Sequence, residues 1–426
     1  MSSRRQDESR LMALAMTGAA AVTAQIVSGK ATRDALFLTS LDYTTLPTML
    51  VATSVFSLLL VGLNTRATRR LAPATLVPLA FAASGVLFLL EWLVRPFAPA
   101  PTAVAVYLHI SCAGPLLASG FWLVSTELFD PHTAKRRFGQ IAGMGTFGGL
   151  VSAVVAERIG ATLGAPALLL FLAVLQFACA VLVRTLAGKL EPTAYPVAEP
   201  TSRSRTATGV PIPERSGLRV VAEAPHLRQL AYVVLLGTTS AALLDYLFKA
   251  QATETFGRGD HLLRFFAIYY AATSVLTFAV QVSSARLLLE RYGLALSAAA
   301  PSLALFAGTA INLVAPGFAS LTMARGAEAV FRGSLFRTGY ELFYTPMRAE
   351  EKRAAKAIID VGFDRVGDAI GGTLVRLMLL LAPAMQANAI LFLGVIGSAA
   401  AVAAARRLKS NYIQTLENSL LHRGDG

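Results

Sequence analysis

Along the chain, apolar runs of helical length alternate with short polar segments rich in arginine, proline or glycine. A helix rising 1.5 Å per residue needs about 20 apolar residues to cross the hydrocarbon of a bilayer. Twelve runs meet that length, at about 11–34, 43–62, 74–94, 102–124, 139–159, 165–183, 229–250, 264–283, 294–314, 318–340, 355–381 and 386–405. They predict an all-α polytopic membrane protein. The first, fourth and eleventh runs are the least uniform, with polar or charged residues inside them or at their edges.

Composition agrees with this reading. Of 426 residues, 55% are hydrophobic and 15% charged, with a mean hydropathy of +0.57. An average globular domain carries about 25% charged residues, so a soluble multi-domain enzyme, a disordered chain and a disulfide scaffold are excluded. The net charge of +13 would suggest nucleic acid in a soluble protein, but the positions of the charges give another reason for it. With the N-terminus placed inside, 26 of the 38 lysines and arginines fall in inner segments, seven fall outside, and five lie within runs ten and eleven. That bias follows the rule that short cytoplasmic loops collect basic residues, and it predicts that both termini are cytoplasmic. Arg4 and Arg5 ahead of a run ending Val22-Thr23-Ala24 look like a cleavable signal. Cleavage would leave eleven runs and break the alternation, so an uncleaved first helix is expected. Cys112 and Cys179 fall inside runs and read as packing residues.

Residues 184–228 hold six prolines among Ser, Thr and Arg and few bulky apolar side chains. They read as a cytoplasmic linker between an N-terminal six-helix bundle, 1–183, and a C-terminal one, 229–426. The halves echo one another: Glu127-Leu128-Phe129 and Glu341-Leu342-Phe343 lie 214 residues apart, each before a basic stretch and a glycine-containing run. Two similar six-helix bundles are the arrangement of the major facilitator type, in which a solute binds between halves that rock around it.

Ionisable residues inside a membrane need a partner or a wet cavity. The first run carries Lys30, Arg33 and Asp34; the seventh, at the equivalent position of the second half, carries Asp245 and Lys249. Facing cations from the two halves suit an anionic solute, and the alternative is a set of self-neutralised pairs near the outer interface. Run ten has Arg325, Glu328 and Arg332 on one stripe, with Arg337 beyond. Run eleven has Asp360, Asp364 and Asp368 on another, with Arg365 and Arg376 nearby. Pairing between these stripes is the favoured reading for most of them. The alternative makes an arginine a bidentate anion clamp and a carboxylate a coupling or gating site. Gly139/Gly143 and Gly145/Gly149 in run five read as close-packing faces. His109 reads as a hydrogen-bonded core residue, and Glu91 with Arg95 as an interface pair. No catalytic constellation, metal spacing or cofactor motif is present.

Lys30-Ala-Thr-Arg33-Asp34-Ala35-Leu36, Ala134-Lys135-Arg136 with its glycine-rich run, Leu244-Asp245-Tyr246-Leu247-Phe248-Lys249 and Asp364-Arg365-Val366-Gly367-Asp368 together resemble the ATP/ADP carriers of plastids and intracellular bacteria, and more closely their bacterial relatives. The likeness spans about residues 15–400. It implies twelve helices, a bacterial cell-membrane location and an anionic solute, with nucleotides first. It also implies a role for Lys30 and Lys249 at the nucleotide phosphates. It departs in run four, where His109 stands in place of the embedded glutamate that the family pattern implies. The expected function is therefore exchange or secondary transport of a nucleotide-like anion. The rivals are proton-coupled efflux of amphipathic compounds through the aspartates of run eleven, and a non-transporting membrane scaffold.

Overall fold

The computed structural model describes residues 2–68, 71–128, 131–188, 217–283, 285–344, 347, 355–356, 358–381 and 386–424. Among them there is no strand. The first half contains α1 (Ser2–Ser40), α2 (Leu46–Thr68), α3 (Pro73–Val94), α4 (Pro99–Leu128), α5 (Pro131–Leu163) and α6 (Ala167–Ala187). The second contains α7 (Gly217–Glu223), α8 (Pro225–Phe256), α9 (Asp260–Ser283), α10 (Ala285–Val314), α11 (Phe318–Phe331), α12 (Arg337–Tyr340), α13 (Asp364–Leu381) and α14 (Gln386–Gly424). Two π-helical segments, Arg332–Phe336 and Ile358–Phe363, interrupt the tenth and eleventh predicted runs.

Nine helices among the described residues are long and apolar enough to cross a membrane. The other three predicted runs, 139–159, 318–340 and 355–381, are helical but differ from a plain apolar span. Run five is diluted by glycines and ends in Glu157-Arg158, while runs ten and eleven carry the charged stripes and the π turns. The expected linker is helical at both ends: α6 runs to Ala187, and α7 docks Val220 and Val221 against Leu227, Tyr340 and Tyr344. A short amphipathic stretch can fold where a core is available to receive it. The middle of that linker and Phe129 of the repeat motif lie outside the described residues.

Helix α3 shows how burial is arranged. Leu79, Val86, Leu90 and Leu93 are exposed on one stripe, whereas Phe81, Ser84, Phe88 and Glu91 are buried on the opposite one. An apolar face outward and a polar face inward suits a lipid surround, where the interior is the only place a polar side chain finds partners. Glu91 accordingly turns to His109 of α4 at 3.1 Å, and the other ring nitrogen of His109 meets Ser84 Oγ at 2.8 Å. This corrects the reading of Glu91 with Arg95 as a pair: the histidine, one helix away, satisfies the carboxylate more completely. His109 is the hydrogen-bonded core residue expected.

Glycines set the helix spacing in both halves. A Cβ on Gly148 of α5 would fall 2.5 Å from Ala20 Cα of α1. One on Gly371 of α13 would fall 2.6 Å from Ala242 Cβ of α8. Backbones in lipid gain attraction by approaching closely, and only small residues permit it. Gly143 instead faces Phe278 of α9. The two halves meet through α5 with α9, α2 with α13, and α1 with α9, so each glycine-faced helix also packs against the other half. The chain is an all-α, multi-pass membrane protein.

Replacing His109 with leucine leaves Glu91 buried without its partner. Breaking a buried pair from one side costs about 3–5 kcal/mol. The expected result is a markedly lower denaturation midpoint in detergent for His109→Leu and almost no change for Arg95→Leu.

Candidate functional site

Between the halves lies a cavity of about 1140 Å³. Along α1 the lining residues Ile26, Lys30 and Arg33 follow i, i+4, i+7 and form one face of the helix. The charged lining consists of Lys30, Arg33, Lys249, Arg325, Arg337 and Arg365 against Asp245 and Asp368. Cations outnumber carboxylates on this surface.

The charges form one connected network. Arg33 grips Asp34 with two bonds, Nε to Oδ1 at 2.8 Å and Nη2 to Oδ2 at 3.0 Å. Its remaining Nη1 donates to Ser111 of α4 at 3.1 Å. Asp34 also accepts from Tyr270 of α9 at 2.5 Å and receives Lys249 Nζ of α8 at 3.2 Å. Lys249 bridges onward to Asp245 at 2.9 Å, and Asp245 accepts from Arg325 Nε of α11 at 2.9 Å. Arg325 and Arg332 share the fully buried Glu328, Arg332 at 2.5 Å. Asp364 of α13 accepts from Thr238 at 2.8 Å and lies 3.9 Å from Arg332. Arg365 pairs with Asp368 at 3.2 Å within α13.

Lys30 and Lys249 line the same cavity but are unlike. Lys249 is 2% exposed and held by two carboxylates. Lys30 is exposed to the cavity, and among the described residues it has no carboxylate within ion-pair distance; it faces only the Tyr270 ring at 5.9 Å. Asp245 with Lys249 is a pair on one helix, as the alternative held. Asp34, however, pairs with Arg33 and Lys249 and not with Lys30, because the bidentate guanidinium and the cross-half lysine reach it first. Among the described residues, the stripe of run ten pairs mainly within itself and with Asp245, and its ion-pair contact with run eleven is that of Arg332 with Asp364. Asp360 stands apart from the cavity, hydrogen-bonded to Tyr340, whose hydroxyl also meets Tyr344. Tyr340 and Tyr344 belong to the cluster containing Val220 of α7. Tyr107 and Tyr270 were missed, although the Tyr107 ring lies 4.9 Å from Arg33 and 5.9 Å from Lys249. A tyrosine in an apolar run carries no signal of its own.

At one end of the molecule further links cross between the halves. Arg258 donates to Asp42 at 3.2 Å, Tyr43 to Glu254 at 3.2 Å, and Arg264 lies 3.2 Å from Glu157. The chain turns there through Gly257 and Gly259, with φ of 71° and 111°, conformations open to glycine. Among the described residues, the polar side-chain links between halves lie at this end or in the network around Asp34. The Asp42 carboxyl is held below its usual value first by the Thr44 backbone N–H and then by the Thr44 hydroxyl, with Arg258 adding to this.

No protein-family model matches the chain. Two curated proteins of Arabidopsis thaliana are similar over part of it. The chloroplastic ADP,ATP carrier protein 2 is 27% identical over 250 residues, covering 50% of this chain and 40% of its own. The chloroplastic ADP,ATP carrier protein 1 is 27% identical over 220 residues, covering 44% and 35%. The chain spans less than half the length of these relatives. Among solved structures, the nucleoside transporter NupG superposes over 94% of this chain and 99% of its own, with a TM-score of 0.63 at 13% identity. The D-xylose-proton symporter covers 91% and 95%, with a TM-score of 0.58 at 13% identity. The fold is that of the major facilitator transporters, and the relatives and neighbours bear the names of carriers, not of enzymes.

Two outcomes follow from the network. Lys249→Met strips both Asp34 and Asp245 of a partner and is expected to cost about 3–5 kcal/mol, whereas Lys30→Met, at an exposed unpaired site, stays within about 0.5 kcal/mol; denaturation in detergent checks both. The depressed Asp42 carboxyl stabilises the fold above the usual carboxylate range and loses that contribution as pH falls through its lowered value. The stability difference between wild type and Asp42→Asn should therefore be constant at neutral pH and shrink below about pH 4.

Proposed function

We propose that this protein is a secondary transporter or exchanger of an anionic solute, nucleotide-like in size and charge, working by alternating access. The observation that carries the reading is the cavity between the halves, with Lys30 exposed in it and free of any carboxylate partner among the described residues. Ligand pockets of about 300–1,000 Å³ hold small molecules, and 1140 Å³ leaves room for a nucleotide with its water. An unneutralised cation in a membrane-embedded cavity is costly unless an anion or water answers it. The ADP,ATP carrier relatives favour nucleotides as the first class to test.

In this reading residues 1–183 and 229–426 are two bundles that rock about the cavity. The links at Asp42–Arg258 and Glu157–Arg264 close the outer end, and both termini lie in the cytoplasm of a bacterial cell. Lys30 and Arg33 receive the anion. Arg325 and Arg332, held by Asp245 and Glu328, keep the opposite wall positive. Asp34, Asp364 and Asp368 exchange partners as the halves move.

Because Lys30 is not a structural partner, its removal separates function from folding. In proteoliposomes, Lys30→Ala should reduce counterflow of labelled ADP at least tenfold while the protein remains folded. Full counterflow in this variant, or transport driven by a pH gradient with no dependence on internal anion, would remove the assignment.

A further inference from the structure

Helix α14 leaves its apolar run at Ala405 and continues as Arg406-Arg407-Leu408-Lys409. Leu408 is buried with Leu227 and Leu230 of α8, and the three cations around it are exposed. None of the three has a carboxylate within ion-pair distance among the described residues. The opposite end of the molecule is built differently: Arg258 and Arg264 there meet Asp42 and Glu157, each at 3.2 Å. Cations clustered at the edge of a span, unanswered by the described carboxylates of the chain, match the headgroups of acidic lipids.

The start of α8 marks the level of the boundary between water and lipid. It packs antiparallel to α14, Leu227 and Leu230 with Leu408, and Val233 with Ala404 and Ala405. Arg228, exposed, adds a fourth cation at the level of Leu408, and Tyr232, one turn further in, is 44% exposed. Tyrosine gathers at that boundary, with its ring in hydrocarbon and its hydroxyl in water. Below it α14 turns an uneven face outward. Phe392 and Ile396 are 59% and 51% exposed. At i+7 and i+11 from Phe392 the stripe passes to Ala399 and Ala403, both exposed, and at i+14 it reaches Arg406, a spacing that keeps these residues on one helix face. From Ile396 to Arg406 this low strip runs about 15 Å, the depth of one leaflet in a bilayer whose hydrocarbon is about 30 Å thick. Basic residues collect at one end of membrane helices as a rule. That accounts for the cations but not for the alanines beneath them.

We infer that this face of α14 seats an anionic phospholipid, its phosphate against Arg406, Arg407 and Lys409 and an acyl chain along Ala403 and Ala399 as far as Ile396. Guanidinium groups hold phosphate oxygens through paired N–H bonds, and an anionic headgroup brings no ammonium of its own to compete for them. The alanines leave room where the chain begins, and Ile396 and Phe392 bound its far end. The site lies outside the cavity and does not depend on which solute the cavity carries.

The test uses the full chain purified in detergent with equal parts phosphatidylglycerol and phosphatidylcholine, and native mass spectrometry to weigh the lipids that stay bound. Wild type is expected to retain phosphatidylglycerol over phosphatidylcholine at least fivefold. Arg406→Gln/Arg407→Gln/Lys409→Gln should lower that preference below twofold, and Ala403→Trp, which fills the strip with the charges intact, should at least halve it. All four positions are exposed, so both variants keep the fold, checked by their denaturation midpoints in phosphatidylcholine alone. Should the triple variant lose stability there, Ala403→Trp decides. Arg10→Gln/Arg66→Gln/Arg184→Gln removes the same charge from other exposed positions and should leave the preference within twofold of wild type. No preference in wild type, an unchanged preference in either α14 variant, or an equal loss in the charge-matched control would overturn the site. So would inorganic phosphate raising the wild-type midpoint as far as phosphatidylglycerol does, because the acyl strip would then contribute nothing.

Discussion

The structure depends on a buried carboxylate, Asp34, that is shared between two halves of the chain. Its side chain is fully enclosed, and its partners come from three helices: Arg33 on its own α1, Lys249 on α8 and Tyr270 on α9. In hydrocarbon such a charge is tolerable only when its lone pairs are filled, and no single helix can fill them. The ionic requirement of one residue therefore specifies how the halves meet. The same logic extends through Asp245 to Arg325 and through Glu328 to Arg332, so that the positive wall of the cavity is held in place by carboxylates lying behind it.

Close backbone packing provides the complementary constraint. The glycine faces of α5 and α13 bring each against the charged helix of its own half, α1 and α8 respectively. That places Lys30, Arg33, Asp245 and Lys249 where α9, α2 and the other half can reach them. Ion pairing sets the register across the cavity, and small residues set the distance. Neither would suffice alone, because ion pairs tolerate sliding and glycine faces carry no charge to orient them.

Much of this arrangement was legible in the residues. Runs of about 20 apolar residues gave the helices, and the placement of Lys30, Asp34, Asp245 and Lys249 at equivalent positions pointed to a common chamber. Charge spacing along one helix, however, suggests partners only on that helix. Lys30 with Asp34, and Glu91 with Arg95, fit the four-residue rule, yet Asp34 takes its neighbour Arg33 with Lys249 and Tyr270 from two other helices, and Glu91 takes His109 from α4. Tyr107 and Tyr270 were invisible for a different reason. An uncharged polar residue costs too little in an apolar run to mark itself, and its importance arises only from what the fold sets beside it. The helices of runs ten and eleven were found, but their π turns were not, since nothing in the local composition distinguishes a wide turn from a regular one.

Those wide turns, Arg332–Phe336 and Ile358–Phe363, both fall in the second half, and the described residues of the first half contain none. Each accommodates a residue that a regular helix of the same rise would exclude, and π turns of this kind gather at working sites. Should one relax to the regular winding, every side chain beyond it would swing by about 100° about the axis, carrying Arg337 in one case and Asp364 in the other to a new bearing. The described residues of the two stretches are thus wound unequally, and Arg337, the residue of the cavity wall that directly follows the first wide turn, takes its bearing from that turn.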